Sequence, residues 1–257
     1  MAKPLIKLNP FSRGGMGYFD LSREPLYMLV FLLPLIVFYE VALYFAYIDE
    51  HSNNIQIKAH DNLVRFLEYF DMPPTQGLGL GGIVIISILL LWHIINAQKW
   101  TIKFRVIVYM AIESVLLAIP LLIFGAFLGG LVASTNDSSI GNLMPYEKLA
   151  VSIGAGLYEE LVFRMIIIGF VHTVVCGIFK QSDRSGIIVG VLVSAVIFAL
   201  YHDLPDTGSL SALTLFFIFS AGVYLGILYV SRGFGIVAAT HAAYDVVATI
   251  YLASIAT

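Results

Sequence analysis

Six residues able to carry charge or donate protons stand inside otherwise apolar runs: Glu159, Glu160, Arg164, His202, His241 and Asp245. Three of them fall within Gly156-Leu157-Tyr158-Glu159-Glu160-Leu161-Val162-Phe163-Arg164, in the middle of the apolar stretch 149–179. A charge near a bilayer centre costs at least about 2.5–3.5 kcal/mol on insertion scales, so such residues usually mark a site. On a helix Glu160 and Arg164 stand i,i+4 with the acid N-terminal, a spacing that lets them pair and offset each other's burial. Glu159 is turned about 100° away and shares that arginine less easily. Its carboxylate needs another reason to be there. Phe198 and His202 repeat the i,i+4 spacing, as do His241 and Asp245. Two histidines and a spare carboxylate are the parts a hydrolase uses to activate water, as a general base or through a metal.

The elements that must position these groups are membrane helices. The chain is 59% hydrophobic and 12% charged, against about 25% charged for soluble domains. Apolar runs of span length occur at 25–48, 78–96, 106–133, 149–179, 186–201, 210–230 and 235–254. They predict a single all-α, polytopic transmembrane bundle of seven spans with the site among the fourth to seventh. The fourth run is long enough to tilt, to extend beyond the bilayer or to break at Gly169, which leaves eight spans as an alternative. A basic lead-in (1–24) precedes three spans (25–133) and the stretch that carries the polar residues (149–254). The lead-in is too polar for a cleaved signal peptide. Between the first two spans, Leu63, Phe66, Leu67 and Phe70 recur at helical spacing, which suggests a short helix on the membrane surface. Pro34 is a candidate kink in the first span.

Lys and Arg alternate across the loops. Lys3, Lys7, Arg13, Arg23, Lys99, Lys103, Arg105, Lys180, Arg184 and Arg232 fall on one side, and Lys58, Arg65 and Lys148 on the other. The positive-inside rule then puts the N-terminus in the cytoplasm, with a bacterial cytoplasmic membrane as the expected location. No basic patch points to nucleic acid. The single cysteine, Cys176, excludes an intramolecular disulfide framework and a Cys-rich metal site.

Taken in order, Glu159-Glu160-x-x-x-Arg164, Phe198-x-x-x-His202 and His241-x-x-x-Asp245 resemble the EExxxR, FxxxH and HxxxN/D motifs of the CPBP intramembrane proteases. That family is also called the type II CAAX prenyl proteases or the Abi family. The resemblance covers roughly 149–254. It implies a membrane endopeptidase in which Glu159 is the catalytic glutamate and His202 its partner in polarising the attacking water. It further implies that Glu160 and Arg164 are a structural pair, and that His241 and residue 245 bind the scissile carbonyl. The family has also been read as a zinc enzyme, with Glu159, His202 and His241 as ligands. Many members end the last motif in Asn, whose amide donates to an oxyanion; Asp245 donates only when protonated. An ionised Asp245 would instead orient His241 or support a metal. Because a neutral amide is tolerated at that position, the expectation is a water activated by Glu159 and His202 with no required cofactor, zinc being the alternative.

The implied partners are the lipid bilayer and a membrane-associated or lipidated protein or peptide substrate, with a further protein partner open. Two other classes compete: a non-catalytic immunity or assembly subunit on the same fold, and an ion or proton transporter. Retention of every motif position disfavours the first, and the lack of an internal repeat disfavours the second. Phe198 reads as packing. Glu40 and Glu113, also inside spans, are candidates to line the same cavity, and His93 and His172 read as interfacial. Depth arithmetic poses a difficulty. At about 1.5 Å per residue, straight spans leave Glu159, His202 and His241 at different levels, unless the seventh span begins inside the protein after Gly233-Phe234-Gly235.

Overall fold

In lipid no water is available to backbone N–H and C=O groups, and a helix satisfies them within its own segment. The structure, a computed structural model, describes residues 17–48, 80–128, 144–202 and 212–252. Those residues form helices and no strand. After a single turn, α1 (Tyr18–Leu21), come α2 (Pro25–Ile48), α3 (Leu80–Ile95), α4 (Phe104–Phe127) and α5 (Pro145–Ile178). Then follow α6 (Asp183–His202), α7 (Ala212–Arg232) and α8 (Phe234–Val246), which continues as a π-helical turn over Val247–Leu252. Five of them, α2, α4, α5, α6 and α7, are long and apolar enough to cross a bilayer; α3 is shorter. Large side chains such as Phe45, Leu116, Ile123 and Phe170 are exposed on their outer faces, as lipid contact requires. The chain is thus a polytopic integral membrane protein. The expected surface helix lies outside the described residues.

Two elements bear on the expectations. The fourth span begins at Pro145, where the Glu147 carboxylate accepts the Met144 amide at 2.7 Å. It then runs unbroken through Gly169 to Ile178. It widens into π-helix at Glu160–Ile168 and again at Val174–Ile178. Such segments are rare and frequent at functional sites. The other element is α8, in the seventh apolar run, for which a start inside the protein was one expectation. Phe234 to Ala242 are buried on every side, the pattern of a helix enclosed by protein. It packs against α5, α4, α7 and α2.

Two glycines make this arrangement feasible. Gly233 has φ +86°, a conformation that costs glycine little and other residues more. With that one residue the chain leaves α7 and starts α8 inside the bundle. Gly156 lets α5 meet α8 backbone to backbone: a Cβ there would stand 2.6 Å from the Ala238 carbonyl oxygen and 2.7 Å from the Ala242 nitrogen. This close approach sets Glu159, one turn on, opposite His241.

Gly156→Ala should therefore push the two helices apart, at the roughly 1–3 kcal/mol typical of overpacking. Gly169→Ala, where a Cβ meets nothing within 4 Å, should be neutral or stabilising by up to about 1 kcal/mol. Thermal unfolding of both purified variants in detergent checks this, and equal Tm values would contradict the packing described.

Candidate active site

Glu160 is fully buried at the start of the first π-helical segment of α5. Its Oε1 lies 3.0 Å from Arg164 Nη1 and 2.7 Å from His241 Nδ1. One carboxylate oxygen thus serves the i,i+4 arginine and also reaches across to α8. Arg164 has no solvent exposure either, and none of its three guanidinium nitrogens makes a hydrogen bond among the described residues, the Nη1 contact to Glu160 being an ion pair. Its guanidinium lies over the Phe198 ring at 4.3 Å from the centroid, a cation–π contact that a desolvated site strengthens. Phe198 in turn packs on Phe163 of α5 and on His202, with ring centroids 5.1 and 4.6 Å apart.

Glu159 points the other way. Its Oε2 is buried and without a hydrogen-bond partner among the described residues. Both His202 Nε2 and His241 Nε2 stand 3.9 Å from that oxygen. This separation is too long for a direct hydrogen bond and short enough for one water to bridge either pair. His202 Nδ1 lies 2.9 Å from the Phe198 carbonyl; with its proton there, Nε2 is left as an acceptor. His202 is part-exposed and Glu159 nearly enclosed, so the cluster is more open on the His202 side. Asp245 Oδ2 is 3.4 Å from His241 Nε2. Glu159, His202, His241 and Asp245 are therefore within one cluster, with Glu160, Arg164 and Phe198 behind it.

A zinc shell needs ligands at about 2.0–2.2 Å, which sets ligand atoms roughly 3.4 Å apart in a tetrahedron. Both edges from Glu159 are 3.9 Å. Among the described residues, the one set of three His, Cys, Asp or Glu side chains that closes to within 4.8 Å is elsewhere. As placed, Glu159, His202 and His241 do not close to that spacing as a set of three.

Glu40 and Glu113 are in polar contacts of their own. Glu40 Oε1 accepts the Gly82 amide at 3.0 Å and the Tyr158 hydroxyl at 3.2 Å, which ties α2 to α3 and α5. Glu113 binds Arg232 in a fork, at 2.6 Å from Nε and 2.8 Å from Nη2, and accepts the Tyr18 hydroxyl. Arg232 Nη2 also reaches Ser22 Oγ at 3.0 Å. Burial, reinforced by the Glu113 carboxylate, pushes the Tyr18 hydroxyl above its usual range. This clamp was not anticipated from sequence, where Arg232 counts as a loop charge. Its partner Glu113, an acid in mid-span, was the available signal. His93 and His172 are buried within the protein; His93 stands edge-on to Trp100, with ring centroids 4.4 Å apart.

Residues 141–247 match the family model described as type II CAAX prenyl endopeptidase Rce1-like. Neither the curated proteins nor the solved structures give a match.

Arg164→Ala would strand Glu160 in a buried setting, and breaking such a pair costs roughly 3–5 kcal/mol. The expected outcome is a large fall in Tm and yield ahead of any specific catalytic defect. A variant as stable as the parent but inactive would place Arg164 in substrate binding instead.

Proposed function

We propose that the chain hydrolyses a peptide bond of a membrane-associated or lipidated protein, a reading supported by the match of residues 141–247 to the type II CAAX prenyl endopeptidase family model. The observation that carries this reading is the shared distance of 3.9 Å from one buried, unpartnered Glu159 oxygen to two imidazole nitrogens on different helices. A water held between Glu159 Oε2 and His202 Nε2 donates one hydrogen to each. Glu159 takes its proton as the oxygen attacks the scissile carbonyl, then delivers that proton to the departing amine.

His241 faces the carbonyl oxygen. Its Nδ1 proton is held by Glu160, so donation from Nε2 to the oxyanion requires the doubly protonated ring. An ionised Asp245, one helical turn on, balances that charge and orients the ring. Asn, which the family also accepts at this position, could take over the orienting part of this role but not the charge balance. The reaction as drawn uses no metal.

Glu159→Gln keeps the shape and removes the base. Assayed on lipidated peptides in proteoliposomes, prenylated CAAX peptides first, its rate should fall at least about 100-fold, with Tm near that of the parent. Full activity in folded Glu159→Gln would overturn the mechanism. A parent protein that binds such peptides and cleaves none would favour a non-catalytic subunit.

A further inference from the structure

We propose that His172, Cys176 and Asp183 form a second site, for a zinc-class divalent cation, that clasps α5 to α6. Their ligand atoms all lie within 4.8 Å of one another. His172 Nε2 is 3.6 Å from Cys176 Sγ and 3.9 Å from Asp183 Oδ1. Tetrahedral zinc, with bonds of about 2.3 Å to sulfur and about 2.0–2.1 Å to nitrogen, holds those two atoms roughly 3.5 Å apart. The sulfur–nitrogen edge is thus already at its liganded length. The longer edge belongs to Asp183, whose side chain is 85% exposed and free to rotate inward. Sulfur, imidazole and carboxylate together select zinc over magnesium or calcium, which take oxygen. A water on the exposed side would complete four ligands.

The local fold builds this cluster. His172 and Cys176 stand i,i+4 where α5 widens into its second π-helical segment. The chain then turns through Lys180, at φ +55°, with Gln181 N donating to the Val175 carbonyl at 3.1 Å. Ser182 Oγ accepts the Ser185 amide at 3.2 Å, as an N-cap does, and Asp183 opens α6 beside the cysteine. Gly186 admits the cluster. A Cβ there would stand 2.5 Å from Cys176 Sγ and 2.8 Å from His172 Cδ2. The site is separate from the one above, since His172 lies about 20 Å along α5 from Glu159. Its consequence is mechanical: α5 carries Glu159 and α6 carries His202, and a cation at their shared end would fix one helix against the other.

Cobalt(II) is the probe, added to purified full-length protein in detergent after chelation. One equivalent should produce a thiolate-to-cobalt charge-transfer band, displaced by zinc, with a rise in Tm for either metal. Cys176 is the only cysteine, so the band reports this site alone. Cys176→Ser should abolish it. Asp183→Asn, an exposed change that leaves folding alone, should weaken cobalt binding at least about tenfold, since even outer-shell groups of metal sites are worth that much. Glu159→Gln should bind as the parent does. No band in protein whose thiol titrates as free, or a band of equal affinity in Asp183→Asn and His172→Asn, would overturn the site. Either result leaves the proteolytic reading untouched.

Discussion

Glu160 has no access to solvent, and one of its oxygens receives a donor from its own helix and another from α8. A buried ion is tolerated when the geometry of its partners offsets several kcal/mol of lost hydration, so the position of Glu160 dictates theirs. Arg164 must stay one turn along α5. The His241 ring must turn its Nδ1 toward α5, which aims Nε2 at Glu159 and Asp245. Arg164 has charge left over, and the face of Phe198 takes it. That ring is one helical turn from His202. A single buried carboxylate thus orients both histidines, one through a hydrogen bond and the other through an arginine and an aromatic face.

Adjacent glutamates end up with opposite chemistry for the same reason. Glu160 commits Oε1 to contacts with Arg164 and His241, while its Oε2 is buried without a hydrogen-bond partner among the described residues. Glu159 closes the α-helical part of α5 and directs an oxygen into the space between α6 and α8, where no protein donor meets it among the described residues. A buried carboxylate oxygen without a partner is costly unless water or substrate serves it. Here the polar groups that could hold such a water are the two imidazoles.

The pairings within one helix were legible in the sequence because the 3.6-residue period puts i and i+4 on one face. Glu160 with Arg164, Phe198 with His202 and His241 with Asp245 are all in contact. Which helix faces which was not legible. The Glu160–His241 bond depends on Gly156 admitting α8 to the α5 backbone, and a glycine in an apolar run carries no label for close approach. Depth arithmetic failed on α8 for a related reason. Counting rise per residue compares depths only for helices that start at one level, and α8 starts from a one-residue turn set against Met28 of α2. The sequence hint, Gly233-Phe234-Gly235, was compatible with that turn but did not require it.

The turn needs an anchor, and its partners come from outside the stretch 141–247 that matches the family model. Arg232, the last residue of α7, is forked onto Glu113 of α4, bonded to Ser22 and covered by the Phe19 ring at 4.5 Å. Arg23 adds bonds to the Val230 and Ser231 carbonyls, the terminal carbonyls of α7. These carbonyls have no partner in their own helix, and a guanidinium there also complements the helix dipole. Fixed at this end, Gly233 can launch α8 in one direction only. His241 then arrives two turns later at the carboxylate that α5 presents. The first spans therefore act on the site at a distance: they hold the start of α8, and the start of α8 determines where its imidazole lands.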